Sequence, residues 1–166
     1  MTDVYQGTYG NDNYEYEGYD SLTAYGKNGD DTLYGNYKDD YLYGEKNNDY
    51  LYGRDGNDYL NAYGGGQELD WASGGYGSDT FVLGDDKSVY YTGDQSYLTV
   101  TDWDSSDYIQ LHGDAYTHSY GYSQYTFDYS QNLGGTSAYD TTVYWGNDKI
   151  GVVYDSQVDF SRVTWV

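Results

Sequence analysis

Between Gly26 and Asn61 a strongly apolar residue recurs every nine positions, at Leu33, Leu42, Leu51 and Leu60, and each lies between Tyr, Thr or Asn neighbours. A helix would repeat its apolar face every three or four residues, and a half-buried strand every second residue over a longer run. A nine-residue period fits neither. It fits a very short strand in which only the middle side chain points inward, joined to its successor by a turn. Written in nines, the segment reads GKNGDDTLY, GNYKDDYLY, GEKNNDYLY and GRDGNDYLN, with Gly first at 26, 35, 44 and 53 and Asp sixth at 31, 40, 49 and 58. Positions one to six are the turn and positions seven to nine the strand. Two units complete one coil, so residues eighteen apart lie over one another and the leucines stack into a narrow core.

The period extends in both directions, less regularly. Residues 7–15 fit a first unit with Asp12 sixth and Tyr14 eighth; the next, around Gly18, Asp20 and Leu22, reads as one residue short at its start and is followed by two extra residues before Gly26. After Asn61 an insertion, 62–64, precedes a unit carrying Asp70 and then Gly74-Gly-Tyr-Gly-Ser-Asp-Thr-Phe-Val82, the cleanest match in the chain. Alternate units stack, so one edge is expected to carry Asp12, Asp31, Asp49 and Asp70, and the other Asp20, Asp40, Asp58 and Asp79. From Ser88 the pattern becomes short alternating runs: Ser88–Tyr91, Tyr97–Trp103, Tyr108–Leu111, Tyr122–Tyr129, Thr141–Trp145, Lys149–Tyr154 and Arg162–Val166. Gly, Asp and Ser clusters between them read as hairpin loops. The expected fold class is all-β: a right-handed parallel β-roll over 1–85, with an antiparallel β cap over 86–166 that closes its C-terminal end.

The turns carry the chemistry. G-G-x-G-x-D-x-U-x, with U apolar, is the signature of a nonapeptide solenoid whose turns bind calcium. Ca2+ is a hard cation that takes six to eight oxygens, and stacked turns offer backbone carbonyls plus an Asp each. Glycines in the turn permit positive φ and bring its carbonyls close to a shared point. The candidate metal set is Asp12, Asp20, Gly26, Gly29, Asp31, Gly35, Asp40, Gly44, Asn47, Asp49, Gly53, Gly56, Asp58, Asp70, Gly74, Gly77 and Asp79. Position four departs from Gly at Lys38, Asn47 and Glu68. Asn tolerates positive φ, but Lys and Glu do so poorly, and turns built on them are expected to be weak or distorted.

Charge sharpens this picture. Seven Lys and Arg against 28 Asp and Glu give a net charge of -21, which makes nucleic acid and anionic membrane poor partners and cations natural ones. Such charge ordinarily signals disorder, yet 27 tyrosines argue for a folded surface. Metal-dependent folding reconciles the two, because about six bound divalent ions would bring the charge to about -9. Cysteine is absent, so disulfides and thiolate sites are excluded. The N-terminus shows no basic region followed by an apolar run, so an ordinary cleaved signal is not expected.

Other chemistry is sparse. Asp102, Asp104 and Asp107 read either as a further calcium loop or as an Asx-type turn between strands. His112 and His118 lack a ligand spacing, no G-x-S-x-G elbow accompanies Ser119 or Ser123, and the chain is read as not an enzyme. Tyr41, Tyr50 and Tyr59 at position seven and Tyr34, Tyr43 and Tyr52 at position nine all face outward, with Tyr41 over Tyr59 and Tyr34 over Tyr52. These ladders either stabilise the sheets or present an aromatic face to a partner.

These residues resemble the repeats-in-toxin family, the calcium-binding β-rolls of proteins exported through type I secretion channels. The resemblance rests on the nonapeptides, on Gly74–Val82 followed by Thr99-Val-Thr-Asp-Trp-Asp-Ser-Ser-Asp-Tyr-Ile-Gln-Leu111, and on Lys149–Tyr154 and Asp159–Val166, which look like the family's uncleaved C-terminal export region. The Tyr-rich cap is most similar to cyanobacterial members. What this implies is export without an N-terminal signal, Ca2+ as the bound ion, and folding outside the cell. The expected function is a secreted, calcium-dependent structural protein that self-assembles through copies of itself into an extracellular filament, sheet or surface layer. The alternative is an extracellular polysaccharide-binding, adhesive module.

Overall fold

The computed structural model describes residues 1–93, 95–113, 124–136 and 138–166. Its strands in chain order are β1 (Thr2–Gln6), β2 (Asn13–Glu15), β3 (Ser21–Asn28), β4 (Thr32–Tyr34), β5 (Tyr41–Lys46), β6 (Tyr50–Asp55), β7 (Tyr59–Asn61), β8 (Leu69–Tyr76) and β9 (Thr80–Val82). They are followed by β10 (Tyr97–Val100), β11 (Tyr108–Leu111), β12 (Tyr125–Gln131), β13 (Asp140–Trp145), β14 (Asp148–Val153) and β15 (Val163–Trp165). The chain crosses from one sheet to the other at nearly every turn. One sheet has the order β1-β3-β5-β7-β9-β11-β15, and the other β12-β13-β14-β10-β8-β6-β4-β2. This is an all-β parallel roll.

The eighth-position side chains meet between the two sheets as the period requires. Leu33 lies beside Leu51 and Leu42 beside Leu60 in the parallel register, and all four are wholly buried. Beyond them the same columns continue as Leu51–Ala72–Val100 on one sheet and Leu60–Phe81–Ile109 on the other. At the N-terminal end the inward residues of the first coil are Tyr5 and Tyr14, whose rings stack at 3.7 Å and 9°. Two flat aromatic faces thereby shield an aliphatic column that a Leu pair would leave wet.

The second half departs from its expected pairing. Among the described residues antiparallel ladders join only β12 to β13 and β13 to β14, whereas β10, β11 and β15 add to the roll in parallel, β10 on β8, β11 on β9 and β15 on β11. Alternating runs do not by themselves distinguish the two pairings; what selects parallel here is the continuation of the inward columns through Val100 and Ile109. No strand forms at Ser88–Tyr91, where a single bridge joins Gly84 and Val89 and Tyr91 turns into the core at φ 57°. The expected Tyr122–Tyr129 strand is described only from Tyr125 onward, and His118, Ser119 and Ser123 lie outside the described residues.

The outward tyrosines do form ladders. Tyr34 and Tyr52 stack at 4.7 Å and 8°, Tyr25 and Tyr43 at 5.0 Å and 9°, and Tyr50 lies on Trp71 at 4.7 Å and 5°. Tyr41 and Tyr59 are 5.8 Å apart and tilted. Truncating a stacked interior leucine tests this core. Leu42→Ala should lower stability in calcium by about 2–5 kcal/mol in denaturant titration, while Leu133→Ala, at an exposed position, should stay within about 0.5 kcal/mol of the parent.

Candidate metal centre

The sixth-position carboxylates stand in two columns, one along each edge of the roll. Within a column each Asp holds its neighbouring coil through Oδ1. On one edge the Asp12 N–H donates to Asp31, the Asp31 N–H to Asp49 and the Asp49 N–H to Asp70, each at 2.8 Å. On the other the Asp40 N–H donates to Asp58 and the Asp58 N–H to Asp79 at 2.8 Å, and the Asp79 N–H to Asp107 at 3.0 Å. Position five builds a second, more exposed ladder by the same device, with Asp30 accepting from the Asn48 N–H at 3.1 Å and Asp39 from the Asn57 N–H at 2.8 Å.

Two placements differ from the sequence reading. Asp20 does not enter the second column: the N–H that bonds Asp40 Oδ1 belongs to Leu22, at 2.7 Å, and Ala24 lies beside Leu42. Leu22 therefore occupies position six and Ala24 position eight, while Asp20 is half exposed beside the N-terminal ammonium. The misreading came from treating Leu22 as the inward leucine of its unit. Conversely, Asp107 was missed as a column member, although Asp107-Tyr108-Ile109 repeats the spacing of Asp49-Tyr50-Leu51.

The free oxygens face a space with cation chemistry. Oδ2 of Asp31, Asp49, Asp58 and Asp79 is buried without a hydrogen-bond partner, an arrangement that is costly for a carboxylate unless a positive charge meets it. A β-carbon added at Gly26 would collide with Asp31 Oδ2 and come within 2.6 Å of the Gly44 carbonyl oxygen. At Gly53 it would collide with Asp58 Oδ2 and come within 2.7 Å of the Gly74 carbonyl oxygen. First-position glycine is thus required because a carboxylate and the carbonyl of the next coil share the space that a side chain would fill. Among the described residues no three His, Asp or Glu side chains converge. A cation here must therefore complete its shell largely from backbone carbonyls, which suits Ca2+ and disfavours transition metals.

Backbone strain marks the same turns. Position four has positive φ at Gly29, Asn47, Gly56 and Gly77, as read from the sequence, and Lys38 and Glu68 do not adopt it. Position two carries more strain than expected: Lys27, Glu45 and Arg54 stand at φ 84°, 71° and 84°. Residues with side chains seldom occupy that region unless the surroundings over-determine it.

These turns match a known repeat. Residues 25–60 fit the family model described as RTX calcium-binding nonapeptide repeat, in four copies. Over that span the turns are RTX repeats. RTX nonapeptide repeats bind Ca2+. No curated protein matches the chain.

Asp102, Asp104 and Asp107 do not gather around a point. Asp102 accepts from Ser73 Oγ at 2.6 Å and from the N–H groups of Gly74 and Gly75 at 3.0 and 2.9 Å, so it ties down the turn that begins at Gly74. Asp104 accepts from the Ser106 N–H at 2.5 Å in an Asx-type turn. Of the two histidines, His112 places Nδ1 2.6 Å from the Asp85 carbonyl oxygen.

Burial pushes the column carboxyls upward: Asp49 to about 9, Asp58 and Asp70 to about 8 and Asp79 to about 6, with Asp31 and Asp40 raised in the same sense. An acid with a folded pKa above its unfolded value, about 3.9 for Asp, binds more protons in the fold. Without calcium its contribution is therefore favourable at low pH and is lost as pH rises through the folded pKa values. Chelated protein should accordingly gain strand circular dichroism as pH is lowered from about 9 to about 5, and a pH-independent signal would contradict the buried columns. In calcium, Asp49→Ala leaves the Asp31 N–H without its acceptor and should cost about 1–3 kcal/mol in thermal or denaturant unfolding. Asp104→Ala, on an exposed turn, should leave calcium affinity unchanged.

Proposed function

We propose that this protein is a secreted, calcium-dependent structural protein that assembles head to tail with copies of itself. The observation that carries the reading is the seven-stranded sheet. It is parallel from β1 to β15 throughout, and among the described residues each of these two outer strands pairs on one side only. A sheet of one strand direction whose two edges lie at opposite ends of the molecule accepts another copy without changing its hydrogen-bond pattern. The contact is heterologous, and such contacts yield open filaments when the rotation does not close. Apolar side chains stand exposed at both ends, Met1, Val4 and Tyr9 at one and Phe160 and Val166 at the other. Calcium, abundant outside cells, would order the roll first and the edges with it. No helix among the described residues is long and apolar enough to cross a membrane.

A polysaccharide-binding reading has one feature in its favour, a cleft of about 330 Å³ lined by Tyr16, Tyr19, Tyr37, Arg54 and Asp55. The ladders themselves weigh against it, since Tyr34, Tyr52, Tyr25 and Tyr43 already spend ring faces on one another. Electron microscopy and light scattering after addition of millimolar calcium to concentrated protein should show filaments. Val4→Pro, which disturbs the outer strand, should abolish them while leaving the calcium-induced circular dichroism intact. Monomers at high concentration that are retained on a polysaccharide column would favour the adhesive module.

A further inference from the structure

The eight carboxylates of the two columns fall into two groups by what their second oxygen does. Oδ2 is unpartnered in Asp31, Asp49, Asp58 and Asp79. In the others the protein supplies a donor of its own. Asp12 Oδ2 accepts from the Thr8 N–H at 2.6 Å, Asp40 Oδ2 from the Asn36 N–H at 2.7 Å, Asp70 Oδ2 from the Tyr91 hydroxyl at 2.6 Å and Asp107 Oδ2 from the Asp104 N–H at 2.8 Å. The groups are not interspersed. On each edge two free carboxylates are consecutive and are flanked on both sides by satisfied ones: Asp12, Asp31, Asp49, Asp70 and Asp40, Asp58, Asp79, Asp107.

The backbone shows what separates them. In the four turns with a free oxygen, the second residue has positive φ: Lys27, Glu45, Arg54 and Gly75. In the turns of Asp12 and Asp40 the second residues, Thr8 and Asn36, do not. In the turn of Asp70 the second residue, Gly66, stands at φ 126°, and there the donor comes from outside the turn, from the Tyr91 hydroxyl. The φ at position two sets the orientation of the peptide joining positions one and two, and hence whether its N–H points at the carboxylate or away from it. Asn36 holds its turn in the closed form, donating through Nδ2 to the carbonyls of Gly18 and Asp20 at 2.8 and 3.0 Å and accepting from the Lys38 N–H at 2.8 Å. At the end of the first column the Lys27 ammonium donates to the Gly7 carbonyl at 2.7 Å, so a carbonyl of that turn already has a positive charge on it.

We infer that calcium is held tightly only in the middle of each edge, by the turns of Asp31 and Asp49 and of Asp58 and Asp79, and that Asp12, Asp40, Asp70 and Asp107 are structural carboxylates. Position two is the switch wherever the donor would come from the turn itself, as it does for Asp12 and Asp40. Left-handed φ at Lys27, Glu45 and Arg54 is then sustained by the ion that the flipped peptide makes room for. The inference concerns calcium alone and stands whether or not the protein polymerises.

Native mass spectrometry and equilibrium dialysis of the full chain with Ca2+ alone read the number of tight ions directly. One ion per unpartnered carboxylate gives four. Asp58→Asn should lose one. Asp40→Asn should keep all of them while melting at a lower temperature, because its side-chain amide then faces the Asn36 N–H. Asn36→Gly, free to flip its peptide, should gain one. Loss of an ion in Asp40→Asn, or an unchanged count in Asn36→Gly, would overturn the assignment. If Asp40→Asn fails to fold, the Asn36→Gly count decides.

Discussion

A carboxylate held against the backbone of the next coil is the interaction on which everything else in this roll depends. From Asp31 onward each sixth-position Asp uses one oxygen to accept the N–H of its counterpart a coil away. That bond fixes the vertical register, and the register in turn puts leucine over leucine and tyrosine over tyrosine. It also places charge in the interior. Water is excluded from the columns, so the second oxygen needs a proton, a donor or a cation, and the chain supplies donors to only half of them. A cation that meets those oxygens stabilises the fold that presents them.

The period was legible where backbone geometry leaves no freedom. Leu33, Leu42, Leu51 and Leu60, and Asp31, Asp40, Asp49 and Asp58, stand where nine-residue counting puts them, because a strand of three residues has only one inward position. Counting failed where a unit lacks its markers. The coil before Gly26 has Leu22 in the aspartate's place and Ala24 in the leucine's, and a single apolar residue draws the eye to the wrong position. Asp107 was hidden by length, since it lies 28 residues from its partner Asp79 rather than 18 or 21. Periodicity is lost at that separation although the geometry is kept.

The second half was harder for a different reason. Alternation announces a strand and its two faces but says nothing about the direction of its neighbour, which depends on where the connecting chain re-enters. β10, β11 and β15 re-enter from the same side as the repeats and so extend them, while β12, β13 and β14 turn back on each other. The donor that satisfies Asp70 could not be read from the sequence either. Tyr91 reaches it from a segment with no repeat at all, and only its complete burial marks it as more than a loop residue.

The separations along the chain also order events in time. Closing a coil within the repeats joins residues 18 to 21 apart, the step to β11 spans 28, and the last strand meets β11 across 54. Loop-closure entropy rises with each of these lengths, which favours early formation of the central coils and late docking of β15. Among the described residues, that strand is one of the two outer strands of the seven-stranded sheet. The folding chain therefore completes this outer strand last, when most of its backbone is already paired and has little left to offer a wrong neighbour.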